Sequence, residues 1–146
     1  MNIDCRIQTL DFTVERFCID DKKYDPGSEN AQSTKFTPQI KPSNDFKDHL
    51  IHIYVETLVF KGGKSCEIKT VSTFSLHFPM PYRIFNHFTT DFVINIFSQL
   101  FLYSNGQTHG VFRERTKGTE FETFILPTRF AESLGLVTKD VLQSLH

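Results

Sequence analysis

The chain has 146 residues, of which 39% are hydrophobic and 23% charged, a composition typical of one globular domain. The formal net charge of −1 argues against a nucleic-acid-binding protein, because neutralising many phosphates requires a clustered excess of lysine and arginine. No stretch reaches the run of about 20 apolar residues that a membrane-spanning helix needs, and the N-terminus carries Asp4 where a signal peptide would be basic. Cys5, Cys18 and Cys66 form no C-x-x-C pair, which favours free thiols in a reducing compartment. We therefore expect a soluble cytoplasmic domain spanning residues 1–146.

The first predicted element is a strand over residues 3–19, because apolar residues alternate with polar ones there. The parity of the alternation changes between Ile7 and Leu10 and again between Val14 and Phe17. Such changes indicate bulges in a long, curved strand.

A polar segment from Asp20 to Thr34 has no apolar periodicity and is predicted to be a long connecting loop, either a functional lid or simply mobile. In the next segment, from Phe36 to Ser43, Pro38 and Pro42 restrict any strand to a short one at the edge of a sheet.

The clearest pattern in the chain predicts a β-hairpin. A strand from His49 to Phe60 is partly apolar on both faces, as expected of a central strand with helices on one side and a partner subunit on the other. Gly62 and Gly63 then provide the positive φ angles of a tight turn, and a second strand returns from residue 65 to residue 78. The glycine pair favours a turn over a phosphate loop, because a strand and not a helix follows it.

Helical spacing follows, with Thr89 or Thr90 as the N-cap and Asp91 in the first turn. Two alternatives remain for its end: the helix stops at Gly106 and a hairpin of residues 111–115 and 121–126 follows, or the helix continues. The apolar residues of the segment 131–145 predict a terminal helix that is interrupted at Gly135. Strands that precede helices are typical of the α+β class, in which helices pack on one face of an antiparallel sheet.

The 16 phenylalanines, beside four tyrosines and no tryptophan, allow two interpretations. They build an aromatic core or an oligomer interface, or some of them form an apolar binding surface.

Catalytic and metal-binding signals are weak. His49 and His52 form an H-x-x-H pair, but residues three apart on a strand point to opposite faces. His87 and Asp91 lack a third ligand, and no serine lies in a G-x-S-x-G motif. We expect no metal, no cofactor and no enzymatic activity. The alternative is a small enzyme in which the fold brings together two or more members of a set: Cys66, His77, His87 and Asp91.

Several short motifs resemble the SecB-like protein-export chaperone family. They are Thr37-Pro38-Gln39-Ile40-Lys41, the two hairpin strands, Thr108-His109-Gly110-Val111-Phe112, Thr116-Lys117-Gly118-Thr119 and Phe124-Ile125-Leu126-Pro127. Many family members have Arg-Gly at the position of His109-Gly110. The resemblance covers residues 3–135.

This resemblance implies a four-stranded antiparallel sheet with a long helix and a C-terminal helix packed on one face, the long helix running past Gly106 toward Gly110. It also implies a dimer or tetramer that holds unfolded or precursor polypeptides in apolar grooves and docks on the translocation motor. Aromatic residues that flank the predicted elements are the candidates for client binding: Phe36, Phe46, Phe78, Tyr82, Phe85, Phe88 and Phe130. The alternative function is an adaptor of the same fold that recognises one specific protein partner.

Overall fold

A computed structural model describes residues 5–20, 32–45, 47–79, 90–124 and 130–145. Its elements in chain order are β1 (Arg6–Asp20), β2 (Gln32–Pro42), β3 (Asp48–Lys61), β4 (Lys64–His77), α1 (Thr90–Arg115) and α2 (Ala131–Leu145). The strands form one antiparallel sheet in the order β1-β4-β3-β2. Helix α1 packs on β3 and β4, and α2 packs on β2 and α1. The predicted α+β class, with a four-stranded sheet and two helices on one face, is therefore confirmed.

Strand β1 contains both irregularities that the parity changes predict. Its pairing with β4 skips Leu10, between Thr9 and Asp11, and skips Glu15, between Val14 and Arg16. Each extra residue restores the apolar side chains to the helix-covered face, as a β-bulge does.

Strand β2 is longer than the sequence predicts. It pairs with β3 without interruption from Gln32 to Pro42, so the expectations of a short strand and of a loop extending to Thr34 are both wrong. The remainder of the predicted loop, residues 21–31, lies outside the described residues. The edge position is confirmed, and the length has a physical reason. Pro38 and Pro42 are four residues apart, so their main-chain nitrogens point to the same side of the strand. Because these nitrogens carry no hydrogen, both can point away from β3 without breaking the β2–β3 hydrogen bonds.

The β3–β4 turn is the predicted tight hairpin. Lys61 pairs with Lys64, and Gly62 and Gly63 between them have φ values of 61° and 80°. Two consecutive positive φ angles are characteristic of a type I′ turn, whose twist matches that of the strands.

Replacing Gly62 with alanine is expected to lower the free energy of unfolding by about 1–2 kcal/mol, because a Cβ disfavours the left-handed region. Gly106 is the matched control: it is helical and nothing lies within 4 Å of a Cβ placed there. Gly106→Ala should raise the free energy of unfolding by about 0.5–1 kcal/mol. Urea titration measures both changes, and a neutral or stabilising Gly62→Ala would contradict the proposed strain.

Helix α1 runs without a break from Thr90 to Arg115, past both Gly106 and Gly110. The alternative with a hairpin over residues 111–115 and 121–126 is therefore wrong. A buried stripe that includes Phe101, Thr108 and Phe112 continues along the whole helix and keeps it on the sheet. Helix α2 is likewise continuous through Gly135, which corrects the predicted interruption.

The apolar core lies between the helices and the sheet in two clusters. The larger one joins α1, α2 and the strands and contains Phe36, Ile51, Ile53, Val55, Phe74, Leu76, Phe78, Val93, Phe97, Leu100, Phe101, Val137 and Val141. The smaller one lies near the β3–β4 turn and contains Val59, Cys66, Ile68, Phe112 and Phe121. Within the part of the chain that the structure describes, neither helix is long and apolar enough to cross a membrane.

Candidate binding cleft

An open cleft lies between the edge strand β2 and helix α2 and has a volume of about 370 Å³. Residues of β2 form one wall and residues at helical spacing on α2 form the other. The lining residues are Lys35, Phe36, Thr37, Pro38, Ile40, Ser133, Leu136, Val137, Asp140 and Val141. We call this site the β2–α2 cleft.

Three aromatic rings support the floor of the β2–α2 cleft. The rings of Phe36 and Phe101 stack with a centroid distance of 5.1 Å, and Phe130 meets each of them edge-on at 5.6 Å. Stacked and edge-on contacts are the favoured arrangements of aromatic pairs. They connect β2, α1 and the residue before α2, so the walls of the cleft are held in a defined position.

The surface of the cleft is apolar with a polar rim. Val137 and Val141 are buried below it, whereas the side chain of Leu136 is 64% exposed, the largest exposure among the exposed large hydrophobic residues of the described chain. Lys35 borders the cleft at the edge of β2, with its side chain on the face opposite the helices, and Asp140 provides a negative charge on the helix side. An apolar floor with a few charged groups at its margin is the usual composition of a protein binding site.

The predicted client-binding residues lie in different environments. Phe36 is buried in the floor of the cleft, and Phe130 is half-buried beside it. Phe78 is buried beyond the end of β4, edge-on to the His49 ring at 5.3 Å. The other four, Phe46, Tyr82, Phe85 and Phe88, lie outside the described residues. The structure brings the rings of Phe36 and Phe130 into contact and places Phe78 in the same core cluster. Client binding by these residues stays a prediction.

Sequence reasoning missed the α2 side of the cleft. Ser133, Leu136 and Asp140 are spaced three and four residues apart, which places them on one side of a helix. That spacing was visible in the sequence. Their position opposite β2 was not, because the two walls are separated by about a hundred residues of chain.

The histidines near the start of β3 do not form a metal site. His49 is buried on the helix-covered face, and its burial lowers the pKa of the imidazole below its usual 6.5. His52 is on the other face, where its Nδ1 lies 3.0 Å from Thr73 Oγ1. The predicted separation of this pair is therefore confirmed. His77 pairs across the strands with Asp48, at 2.5 Å. Among the described residues, no three His, Cys, Asp or Glu side chains are grouped as metal ligands.

Two members of the alternative catalytic set, Cys66 and His77, lie far apart in the structure. Cys66 and His77 are eleven residues apart on the same strand, or about 36 Å at the usual rise per residue. Burial raises the pKa of Cys66 to about 12, so the thiol stays protonated at neutral pH. His87 lies outside the described residues.

Apolar side chains are also accessible on α1, on β1 and on the face of the sheet opposite the helices. Leu102 and Tyr103 project from α1, and Leu10 projects from β1. A second open cleft of about 620 Å³ lies between β1 and α1, next to Val14 and Gly110. The face of the sheet opposite the helices carries half-buried Leu50, Tyr54, Leu58, Phe60 and Val71. Apolar surface of this kind is typical of contacts with other chains.

The observed arrangement defines an α+β protein with an open antiparallel sheet, two helices on one face and an apolar cleft at one edge. No family model matches the sequence, and no curated protein matches it. Among solved structures, the chain is similar to a protein of unknown function from Streptococcus agalactiae, with 12% identity, a TM-score of 0.46 and coverage of 78% of this chain and 91% of that one. It is also similar to a SecB-like chaperone of Mycobacterium tuberculosis in complex with a ChAD peptide from the HigA1 antitoxin. That comparison has 13% identity and a TM-score of 0.44, and covers 83% of this chain and 91% of that one.

Proposed function

We propose that this protein is a cytoplasmic holdase, a chaperone that binds unfolded or precursor polypeptides without catalysis or a cofactor. The observation that supports the proposal is the β2–α2 cleft, in which the exposed Leu136 and the half-buried Pro38 and Ile40 offer apolar surface at the edge of the sheet. Burial of apolar side chains is non-directional, so such a surface accepts clients of different sequence.

The size of the cleft sets the kind of contact that one subunit can make. A volume of about 370 Å³ is at the lower end of the range for ligand pockets, which suits a few side chains of a client and not a folded domain. A long unfolded chain would therefore need several clefts. We propose a symmetric homo-oligomer, dimer or tetramer, formed through the half-buried apolar side chains on the face of the sheet opposite the helices. Joining several weak sites in one assembly raises the total affinity for a long client.

The proposal predicts that Leu136→Asp abolishes most of the holdase activity. A carboxylate at this position is exposed, so it should leave folding intact, but it would have to lose its hydration when an apolar client side chain binds. The measurement is light scattering of a denatured, aggregation-prone protein diluted into buffer with wild-type or variant protein at matched subunit ratios. The oligomer mass is determined in parallel by size exclusion with light scattering.

Gln143→Asp is the matched control, because it adds the same charge at an exposed position of the same helix. It should suppress aggregation as well as the wild type does. If the wild-type protein leaves aggregation unchanged at every ratio, the holdase proposal is wrong and an adaptor for one dedicated protein partner becomes the better explanation. Equal activity of Leu136→Asp and the wild type would place client binding outside the β2–α2 cleft.

A further inference from the structure

Strand β2 has a free main-chain edge within the described residues, because it pairs only with β3. The prolines identify which of its residues direct their backbone groups outward. Pro38 lies opposite Ile53, which is fully buried, and a proline facing inward would leave the Ile53 carbonyl oxygen without a donor. The β2–β3 register has no bulge, so every second residue of β2 has the orientation of Pro38. The even-numbered residues of β2 therefore direct their main-chain groups away from β3.

The prolines also limit how much of this edge can pair. Pro38 and Pro42 lack the N–H, so the last part of the strand offers an outward donor only at Ile40. In the first part, Thr34 and Phe36 each present an N–H and a C=O outward. The segment Gln32–Thr37 is thus the part of the edge on which another strand can form a regular ladder, and it borders the β2–α2 cleft.

The side chains around this segment differ between its two faces. On the helix-covered face, an added strand would meet Leu136 and Val137 of α2. On the other face it would meet Lys35, which is exposed. Its cross-strand neighbour on β3 is Glu56, whose carboxylate lies 3.9 Å from Lys69 Nζ on β4. Strand β2 carries two lysines, Lys35 and Lys41, and no acidic residue. An occupant with carboxylates on that face would complement this charge.

We propose that a client segment binds as a fifth strand along Gln32–Thr37, with apolar residues toward α2 alternating with acidic residues toward Lys35. This inference rests on the proposed function and specifies the client: an extended segment of alternating apolar and acidic residues. Main-chain hydrogen bonds provide affinity for any sequence that can extend, and the alternate side chains provide the preference.

The test uses two synthetic fluorescent peptides that share their apolar positions and differ at the alternating ones, which are glutamate in one and lysine in the other. Fluorescence anisotropy measures their binding to the full chain. The acidic peptide should bind more tightly to the wild type, and Lys35→Glu should reverse the preference. Thr34→Pro should weaken binding about fivefold, the effect of one lost main-chain hydrogen bond. Pro38→Thr should strengthen it about fivefold, because it adds an outward donor.

Thr34→Val is the matched control for Thr34→Pro. Both lose the hydroxyl that lies 3.2 Å from Thr57 Oγ1, but valine keeps the N–H. Binding by Thr34→Val should therefore equal that of the wild type, and urea titration of each variant checks that the sheet is intact. Strand addition is overturned if Thr34→Pro and Pro38→Thr bind like the wild type while Leu136→Asp still loses binding, a result that leaves the holdase proposal standing. If the wild type binds neither peptide and no denatured protein, both proposals fail.

Discussion

Replacing Phe101 with alanine is expected to lower the free energy of unfolding by about 3–5 kcal/mol, the usual cost of truncating a fully buried phenylalanine. Its side chain has no exposed surface and contacts three other rings: Phe36 at 5.1 Å, Phe130 at 5.6 Å and Phe97 at 6.1 Å. The truncation removes apolar burial and leaves a cavity where β2, α1 and the residue preceding α2 meet. Urea denaturation followed by circular dichroism measures the change.

Leu102→Ala is the control for this substitution. It lies next to Phe101 on the same helix, but its side chain is 51% exposed, so its truncation should cost less than about 1 kcal/mol. Because Phe101 supports the floor of the β2–α2 cleft, its loss should also weaken client binding at temperatures where the variant is still folded. A cost for Phe101→Ala as small as that for Leu102→Ala would show that the three-ring contact does not hold these elements together.

Strand structure was predictable from the sequence because alternation, turn residues and parity are local signals. The glycine pair at Gly62 and Gly63 determines the hairpin turn, and the parity changes around Leu10 and Glu15 locate the bulges of β1. Strand β2 was underestimated because two prolines were counted as breaks. Only the sheet shows that both prolines have the parity that leaves the β3 ladder complete.

The end of α1 was ambiguous in the sequence because polar residues occupy its buried face. Ser104, Asn105 and Thr108 are buried, so the apolar period disappears where Gly106 also suggests a stop. The Ser104 hydroxyl donates to the Leu100 carbonyl and the Thr108 hydroxyl to the Ser104 carbonyl, which satisfies these groups within the helix. The spacing of hydrophobic residues alone does not reveal a helical segment whose buried residues are polar.

The candidate site was less predictable than the fold. A count of phenylalanines suggested an apolar surface, but the structure uses Phe36 in the aromatic floor and exposes Leu136 instead. Leucine on a helix is ordinarily a core residue. Its exposure here follows from the position of α2 at the edge of the sheet, where β2 has no further strand beside it among the described residues.

Two buried threonine hydroxyls join β4 to α1. Thr70 Oγ1 lies 2.7 Å from Thr108 Oγ1, and Thr108 Oγ1 lies 2.7 Å from the Ser104 carbonyl oxygen. The Thr108 hydroxyl has one hydrogen, which it donates to that carbonyl, so Thr70 is the donor to Thr108. Both threonines are buried, but only Thr108 accepts a hydrogen bond from the other. Replacing Thr108 and replacing Thr70 therefore have different consequences.

Thr108→Val should therefore lower the free energy of unfolding by about 1–3 kcal/mol, because it leaves the Thr70 hydroxyl buried without an acceptor. Thr70→Val should cost only about 0.5–1.5 kcal/mol, since Thr108 keeps its bond to Ser104 and valine has nearly the same shape. In the double variant no hydroxyl remains unsatisfied, so its cost should be smaller than the sum of the two single costs. Urea titration of the three variants gives the coupling energy. Additive costs would mean that the two hydroxyls do not interact, and a larger cost for Thr70→Val would reverse the direction of donation.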